Sequence, residues 1–197
     1  MARKWKRGEE RIRELLDAAE KEFLEKGYEG AVIVDIAKRS GVSPALMYRY
    51  FPDKADILSS VCDRMFEPLD VFMSSADEQD DAVAALHRFL IDYLSFWERN
   101  PRLVEFYFLD RLHTMEDDQR RARYIGAKSG FFVWLHQTLA WGVEENVLGE
   151  HNKAALAEAL MYAMEGAMIH VAILRDTKVK RAVARIERAL LWDVRKG

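Results

Sequence analysis

Apolar residues recur at intervals of three and four along almost the whole 197-residue chain, and no segment sustains strand-like alternation with β-branched enrichment. That period builds helices with one buried stripe, so the fold class expected is all-α, with about nine helices. Only four prolines punctuate it, at positions 44, 52, 68 and 101. Half the residues are hydrophobic and 32% are charged, enough for a packed core under a solvated surface.

The first helix is predicted from Glu9 to Lys26, where Ile12, Leu15, Leu16, Ala19, Phe23 and Leu24 form one stripe and Gly27 supplies the left-handed stop. A short second helix, Val32 to Arg39, turns Ile33, Ile36 and Ala37 inward, and Gly41 gives the next turn. Ser43 before Pro44 is an N-cap followed by proline at the first helical position, which starts a third helix. It ends near Tyr50, because Pro52 disfavours helical geometry at Phe51. Asp53 caps a fourth helix carrying Ile57, Leu58, Val61 and Phe66, which Pro68 should end or kink. Past the polar stretch Ser74 to Asp81, longer helices are expected at 82–98, 101–113, 118–142, 151–174 and 178–195.

Residues 32 to 51 therefore read as helix, glycine turn, helix, the geometry in which a second helix enters the major groove. Val42, Met47 and Phe51 give this unit an apolar seam. Helical spacing then places Pro44, Ala45, Tyr48 and Arg49 on the opposite, exposed face. Net charge is −3, but Arg3, Lys4, Lys6, Arg7, Arg11 and Arg13 gather in a basic arm opposed only by Glu9 and Glu10, an asymmetry that suits one end meeting phosphate.

Other chemistries find little support. The single Cys62 excludes an internal disulfide and supplies no metal knuckle. The histidines at 87, 113, 136, 151 and 170 are scattered, and there is no glycine-rich phosphate loop. No catalytic residues, metal or cofactor are expected, and the chain is not expected to be an enzyme. Glu158, Glu165 and His170 interrupt the most apolar stretch, and the N-terminus lacks the apolar run of a secretory signal. A cytoplasmic protein with no membrane partner is expected.

The string Gly27-Tyr28-Glu29-Gly30, then Asp35-Ile36-Ala37, Gly41-Val42-Ser43 and Tyr48-Arg49-Tyr50-Phe51-Pro52-Asp53-Lys54 resembles the N-terminal signature of the tetracycline-repressor (TetR) family over about residues 10 to 60. The resemblance implies an N-terminal, homeodomain-like helix-turn-helix domain, 1–53, and a C-terminal helical ligand-binding and dimerisation domain, 54–197. It implies a double-stranded DNA operator, with Ser43 at the DNA-binding surface, Pro44, Ala45, Leu46 and Arg49 near the bases and Tyr48, Tyr50 and Lys54 at phosphates. Two departures stand out. Ala31 and Val32 replace hydroxyl residues common in relatives, and Pro44-Ala45-Leu46 stands where lysine, glycine and threonine are often seen, which bears on the operator sequence.

Between Ala154 and Leu174 apolar residues occupy nearly every face, so this helix is expected to be buried all round. In the last helix Val179, Val183, Ile186 and Leu190 form a stripe that needs a partner helix. Together with the resemblance, these features predict a homodimer through the last two helices. The middle helices are rich in aromatic residues, Tyr124 among them, and the resemblance implies an enclosed cavity for a largely apolar small-molecule effector. Trp97, Phe106, Phe132, His136, Met161 and Glu165 are the candidate ligand-binding residues. The expected function is a DNA-binding regulator, a repressor released by its effector. The alternative is a helical small-molecule-binding module without operator binding.

Overall fold

The computed structural model describes the backbone of residues 2–115 and 118–191, and the side chains among them outside 2–7, 109–115, 119–121 and 123–129. All regular elements among these residues are helical, in the order α1 (Ala2–Gly30), α2 (Ile33–Arg39), α3 (Pro44–Tyr50), α4 (Lys54–Met65), α5 (Glu67–Asp77), α6 (Ala82–Arg99), α7 (Pro101–Met115), α8 (Asp118–Glu144), α9 (Lys153–Met168) and α10 (Val179–Leu190). The end of α9 widens into a π-helical segment, Ile169–Leu174, closed by Arg175 at φ 53°. The portion of the last helix expected beyond residue 191 lies outside the described residues, as does the side chain of Tyr124.

The chain divides into two compact units. One gathers the residues up to Met65 with the segment from Phe106 to Arg120, and the other takes Phe66–Glu105 and everything after Arg120. In the first unit, α1 packs on α2 and α4, and α2 packs on α3. Leu15, Ala19, Phe23, Ile36, Ala37, Met47, Ile57 and Leu58 make its core. Arg64 ties α4 to α1, donating to Asp17 at 2.7 Å and to Glu20 at 2.9 Å. Helix α1 begins at Ala2, earlier than the expected Glu9, because the charged arm continues the same helical path. Its break comes where expected, with Gly27 at φ 72°, ψ 168°.

In the second unit, α6 is the central helix, contacted by α5, α9 and α10. Asp81 starts it by accepting the N–H groups of Val83 and Ala84, both at 2.8 Å. Phe89 of α6 stacks on Phe131 at 4.9 Å and meets Trp134 at 4.8 Å between centroids, and the Trp134 indole donates to Asp77 at 2.8 Å.

Two readings are corrected by this arrangement, and a third, the need of the α10 stripe for a partner helix, is met within the chain. Pro68 does not merely end α4: it sits in the first turn of α5, where its missing N–H has no intrahelical partner to lose, and α5 runs into the first half of the stretch read as polar. The α10 stripe of Val179, Val183 and Ile186 finds its partners in α6 and α9 of the same chain. Segment 153–174, in contrast, is not covered all round. It is long and apolar enough by length and composition to cross a membrane, yet only a third of its most apolar window is buried. Ala155, Glu158, Tyr162, Gly166 and Ile173 are open along one side, since α6 and α10 cover only the other.

Candidate nucleic-acid interface

Local sequence dictates the geometry of α3. The Ser43 hydroxyl accepts the Leu46 N–H at 3.2 Å, Pro44 occupies the first turn, and Phe51 leaves the helix at φ −133°, ψ 109° as the residue before Pro52 must. Gly41 takes φ 70° in the turn from α2, and the Val42 N–H closes on the Ala37 carbonyl at 3.0 Å. The Ser40 hydroxyl satisfies the last carbonyls of α2, those of Ile36 at 3.1 Å and Ala37 at 3.0 Å.

With Met47 wholly buried and Phe51 nearly so, α3 is keyed into the core by one face. The other face is open: Ser43, Pro44, Ala45 and Arg49 are exposed, Tyr48 keeps 51% of its surface in solvent and Tyr50 37%, and Leu46 is half-buried. Seven of the eight residues expected at DNA thus lie on or beside one short surface helix. Lys54 is placed differently. Its ammonium turns back into the unit, donating to the carbonyls of Tyr28 at 2.7 Å and Ala31 at 3.1 Å, and lies 4.4 Å from the centre of the Tyr28 ring.

An ionic network that sequence reasoning missed sets the crossing of α1 and α2. Glu22 is buried at 1% exposure, and Lys26 and Arg39 both pair with it, Arg39 at 2.9 Å. Lys26 also bonds Asp35 at 2.7 Å, and Arg39 forks onto Glu25 with its two terminal guanidinium nitrogens while its Nε donates to Glu22. The hydrogen bond from Arg39 holds the Glu25 carboxyl below its ordinary range, and that from Lys26 does the same for Asp35. The i,i+4 spacing of Glu22 and Lys26 was a visible signal. Arg39 joins them only once α2 crosses α1. Val32 is the N-cap of α2, and its side chain caps nothing, as its hydrocarbon nature requires.

The expected ligand-binding residues are dispersed. Trp97 and Phe106 are core residues at 1% and 2% exposure. Phe106 belongs to the first unit, its ring 6.0 Å from Phe23 and its carbonyl accepting the Cys62 thiol at 3.5 Å, whereas the other five belong to the second. Phe132, Met161 and Glu165 are half-buried, and His136 is exposed. A groove of about 480 Å³ in the second unit is lined by none of them: it lies between α6 and α10, where His87 meets Glu187 at 2.7 Å. Its walls come from two stretches of chain about a hundred residues apart, 79–91 and Glu187, and no local pattern announces it.

Two crossed short helices, one locked into a helical core and presenting aromatic and cationic side chains to solvent, are the architecture of the helix-turn-helix class of transcription regulators. The family profile described as bacterial regulatory proteins, tetR family, matches residues 15–61. The HTH-type transcriptional repressor KstR of Mycolicibacterium smegmatis (strain ATCC 700084 / mc(2)155) is 32% identical over 156 residues, 67% of this chain and 76% of KstR. The HTH-type transcriptional regulator HbdR of Aromatoleum sp. (strain CIB) is 48% identical over 50 residues, so the match covers 25% of this chain and only 22% of HbdR. The crystal structure of the regulator FadR from Bacillus subtilis in complex with stearoyl-CoA shares the fold at a TM-score of 0.75, with 19% identity over 90% of this chain and 96% of that one. The chain belongs to the TetR family of transcriptional regulators.

Proposed function

We propose that the chain is a cytoplasmic repressor that acts by binding, not by catalysis, and leaves its operator when a small, largely apolar effector binds. The observation that carries the DNA-binding half is the orientation of α3, with Met47 and Phe51 inside and Tyr48 and Arg49 in solvent. Arg49 is the candidate for a guanine edge, an interaction on the order of 1–3 kcal/mol when bidentate. Ala45 and Leu46 offer apolar contact to thymine methyls, and Ser43, Tyr48 and Tyr50 reach phosphates, which sets register without reading sequence. Residues 1–53 form the reading domain in this proposal and 54–197 the sensing and dimerising one.

Stearoyl-CoA in the FadR complex supports a bulky, apolar class of effector. Phe132, Met161 and Glu165 are half-buried and offer two apolar surfaces and one polar handle for it. The dimer pairs α9 and α10 with their symmetry mates and sets two copies of α3 about 34–36 Å apart, one turn of B-form DNA. An effector that binds better to a dimer with another spacing lowers operator affinity by the same coupling factor.

The test is a mobility-shift titration against the promoter region beside the chain's own gene. Wild type should shift this DNA with an affinity that falls steeply with salt. Joint replacement Tyr48→Ala and Arg49→Ala should abolish the specific shift while leaving the helical circular dichroism unchanged. A double variant that still binds with wild-type affinity refutes the assignment of α3. Absence of any shift by the wild type favours a ligand-binding module. Native mass spectrometry of the purified protein identifies a co-purified effector.

A further inference from the structure

We infer that beside the guanine assigned to Arg49 the reading face of α3 recognises methyl groups and not whole bases, so that 5-methylcytosine can stand in for thymine and cytosine methylation at those positions tightens binding. The inference rests on the DNA-binding reading above and concerns what that surface can and cannot discriminate.

The core decides which side of α3 faces outward. Met47 is wholly buried and Phe51 nearly so. At about 3.6 residues per turn, the stripe diametrically opposite them carries Ala45 and Arg49, with Leu46 beside it. Ala45 and Arg49 are exposed and Leu46 is half-buried. Tyr48, at 51% exposure, and Tyr50, at 37%, flank this stripe on its two sides, which sets their hydroxyls at its margins.

Of the three residues on the stripe, only Arg49 has a side chain that forms hydrogen bonds. Ala45 and Leu46 end in methyl groups. Pro44, exposed one residue earlier, has no polar side-chain atom and no N–H, and the Leu46 N–H is taken by the Ser43 hydroxyl at 3.2 Å. In the major groove thymine shows a C5 methyl and an O4 acceptor, whereas cytosine shows a bare C5 and an N4 donor. A side chain tells O4 from N4 only with a donor or acceptor of its own. Ala45 and Leu46 have neither, so they register the methyl and are blind to the atom next to it. 5-Methylcytosine carries its methyl on the same ring carbon. Ala45 and Arg49 stand about 6 Å apart along the helix axis, and base pairs are about 3.4 Å apart, so the methyl position falls within about two base pairs of the guanine.

The experiment selects a duplex from a random-sequence pool with the wild-type protein and follows its binding by fluorescence anisotropy at fixed salt. Each thymine is replaced in turn by uracil, which removes only the methyl. At one position or more in each half-site, binding should weaken about fourfold, the loss expected when one methyl group stays in water. At those positions a 5-methylcytosine pair should bind about fourfold more tightly than the cytosine pair. The joint variant Ala45→Gly, Leu46→Ala should lose both increments, and Tyr48→Phe should keep them. Uracil that binds as well as thymine at every position, or an increment seen for thymine and absent for methylcytosine, overturns the inference and leaves DNA binding standing. Increments that survive in a folded joint variant overturn it as well, because other residues then read the methyl. If the wild type enriches no sequence from the pool, the DNA-binding reading falls and the inference falls with it.

Discussion

Single side chains around α2 show how finely the reading domain is held and where it is left weak. Val32 has N-cap geometry, φ −122° and ψ 144°, but no oxygen to offer the first N–H groups of α2. Val32→Thr adds one without changing the branch at Cβ, and should stabilise the protein by about 0.5–2 kcal/mol. The urea midpoint should rise with an unchanged m-value; an unmoved midpoint means that water already caps these groups as well as a hydroxyl would. The ion pairs on the same helix predict acid sensitivity. Asp35 and Glu25 lie below their ordinary values of 3.8 and 4.5 through Lys26 and Arg39 respectively, so their contribution is complete above those values. It is lost as pH falls below them through the lowered folded values. Lys26 is raised above 10.5 by Asp35 and then Glu22, and its share persists at low pH until its partners are protonated. The double variant Asp35→Asn, Glu25→Gln should therefore show a flatter decline of stability with acid below about pH 4.5 than wild type. Parallel declines, read from urea titrations at stepped pH, would show these exposed pairs to be energetically silent.

At the scale of helices, what was legible followed from local chemistry. Pro44–Tyr50 matches its expected bounds because Ser43, Pro44 and Pro52 specify both ends within the segment itself. The Gly27 stop and the Asp53 cap, whose carboxylate accepts the Asp56 N–H at 2.8 Å, are of the same kind. Tertiary effects were not legible. Helix α5 hides under a proline and a polar run, the α10 stripe gives no sign of whether its partner is its own chain or another, and Lys54 looks like a surface cation until α1 and α4 are brought together. The close approach at Gly142 in α8 belongs to this second kind. A Cβ there would stand 2.6 Å from Leu148 Cδ1 and 3.0 Å from the Ala82 methyl. Gly142→Ala should accordingly cost about 1–3 kcal/mol by overpacking, despite the better helix propensity of alanine. Gly130, in the same helix, is exposed and would meet nothing within 4 Å. Gly130→Ala should gain about 0.5–1 kcal/mol, and thermal denaturation of the pair separates packing from propensity. Equal shifts in the two variants would contradict the contact at Leu148.

For the molecule as a whole, the decisive property is assembly, because one recognition helix reads only half of a symmetric operator. The argument for a second copy starts from segment 153–174. A helix this apolar, with only a third of its most apolar window buried, exposes surface that water disfavours, and α10 no longer serves as an unpaired stripe because it packs on α6 and α9. Tyr162, at 70% exposure, is the largest side chain along the open side, and Gly166 follows one turn later where an added Cβ would meet nothing. A two-fold axis crossing α9 would let each Tyr162 lie against the small residues of its mate, an isologous packing of one protrusion into one recess. Tyr162→Glu would bring two carboxylates to that axis and so should dissociate the dimer at micromolar concentration. Sedimentation velocity should give twice the 22.9 kDa chain mass for wild type and the single mass for the variant. Since α3 is untouched, the variant should retain weak, salt-sensitive binding to arbitrary duplexes while losing the tight, two-site binding of a palindromic operator. A monomeric wild type, or a variant that remains dimeric with undiminished operator affinity, would remove α9 from the interface and require another surface to set the two reading heads.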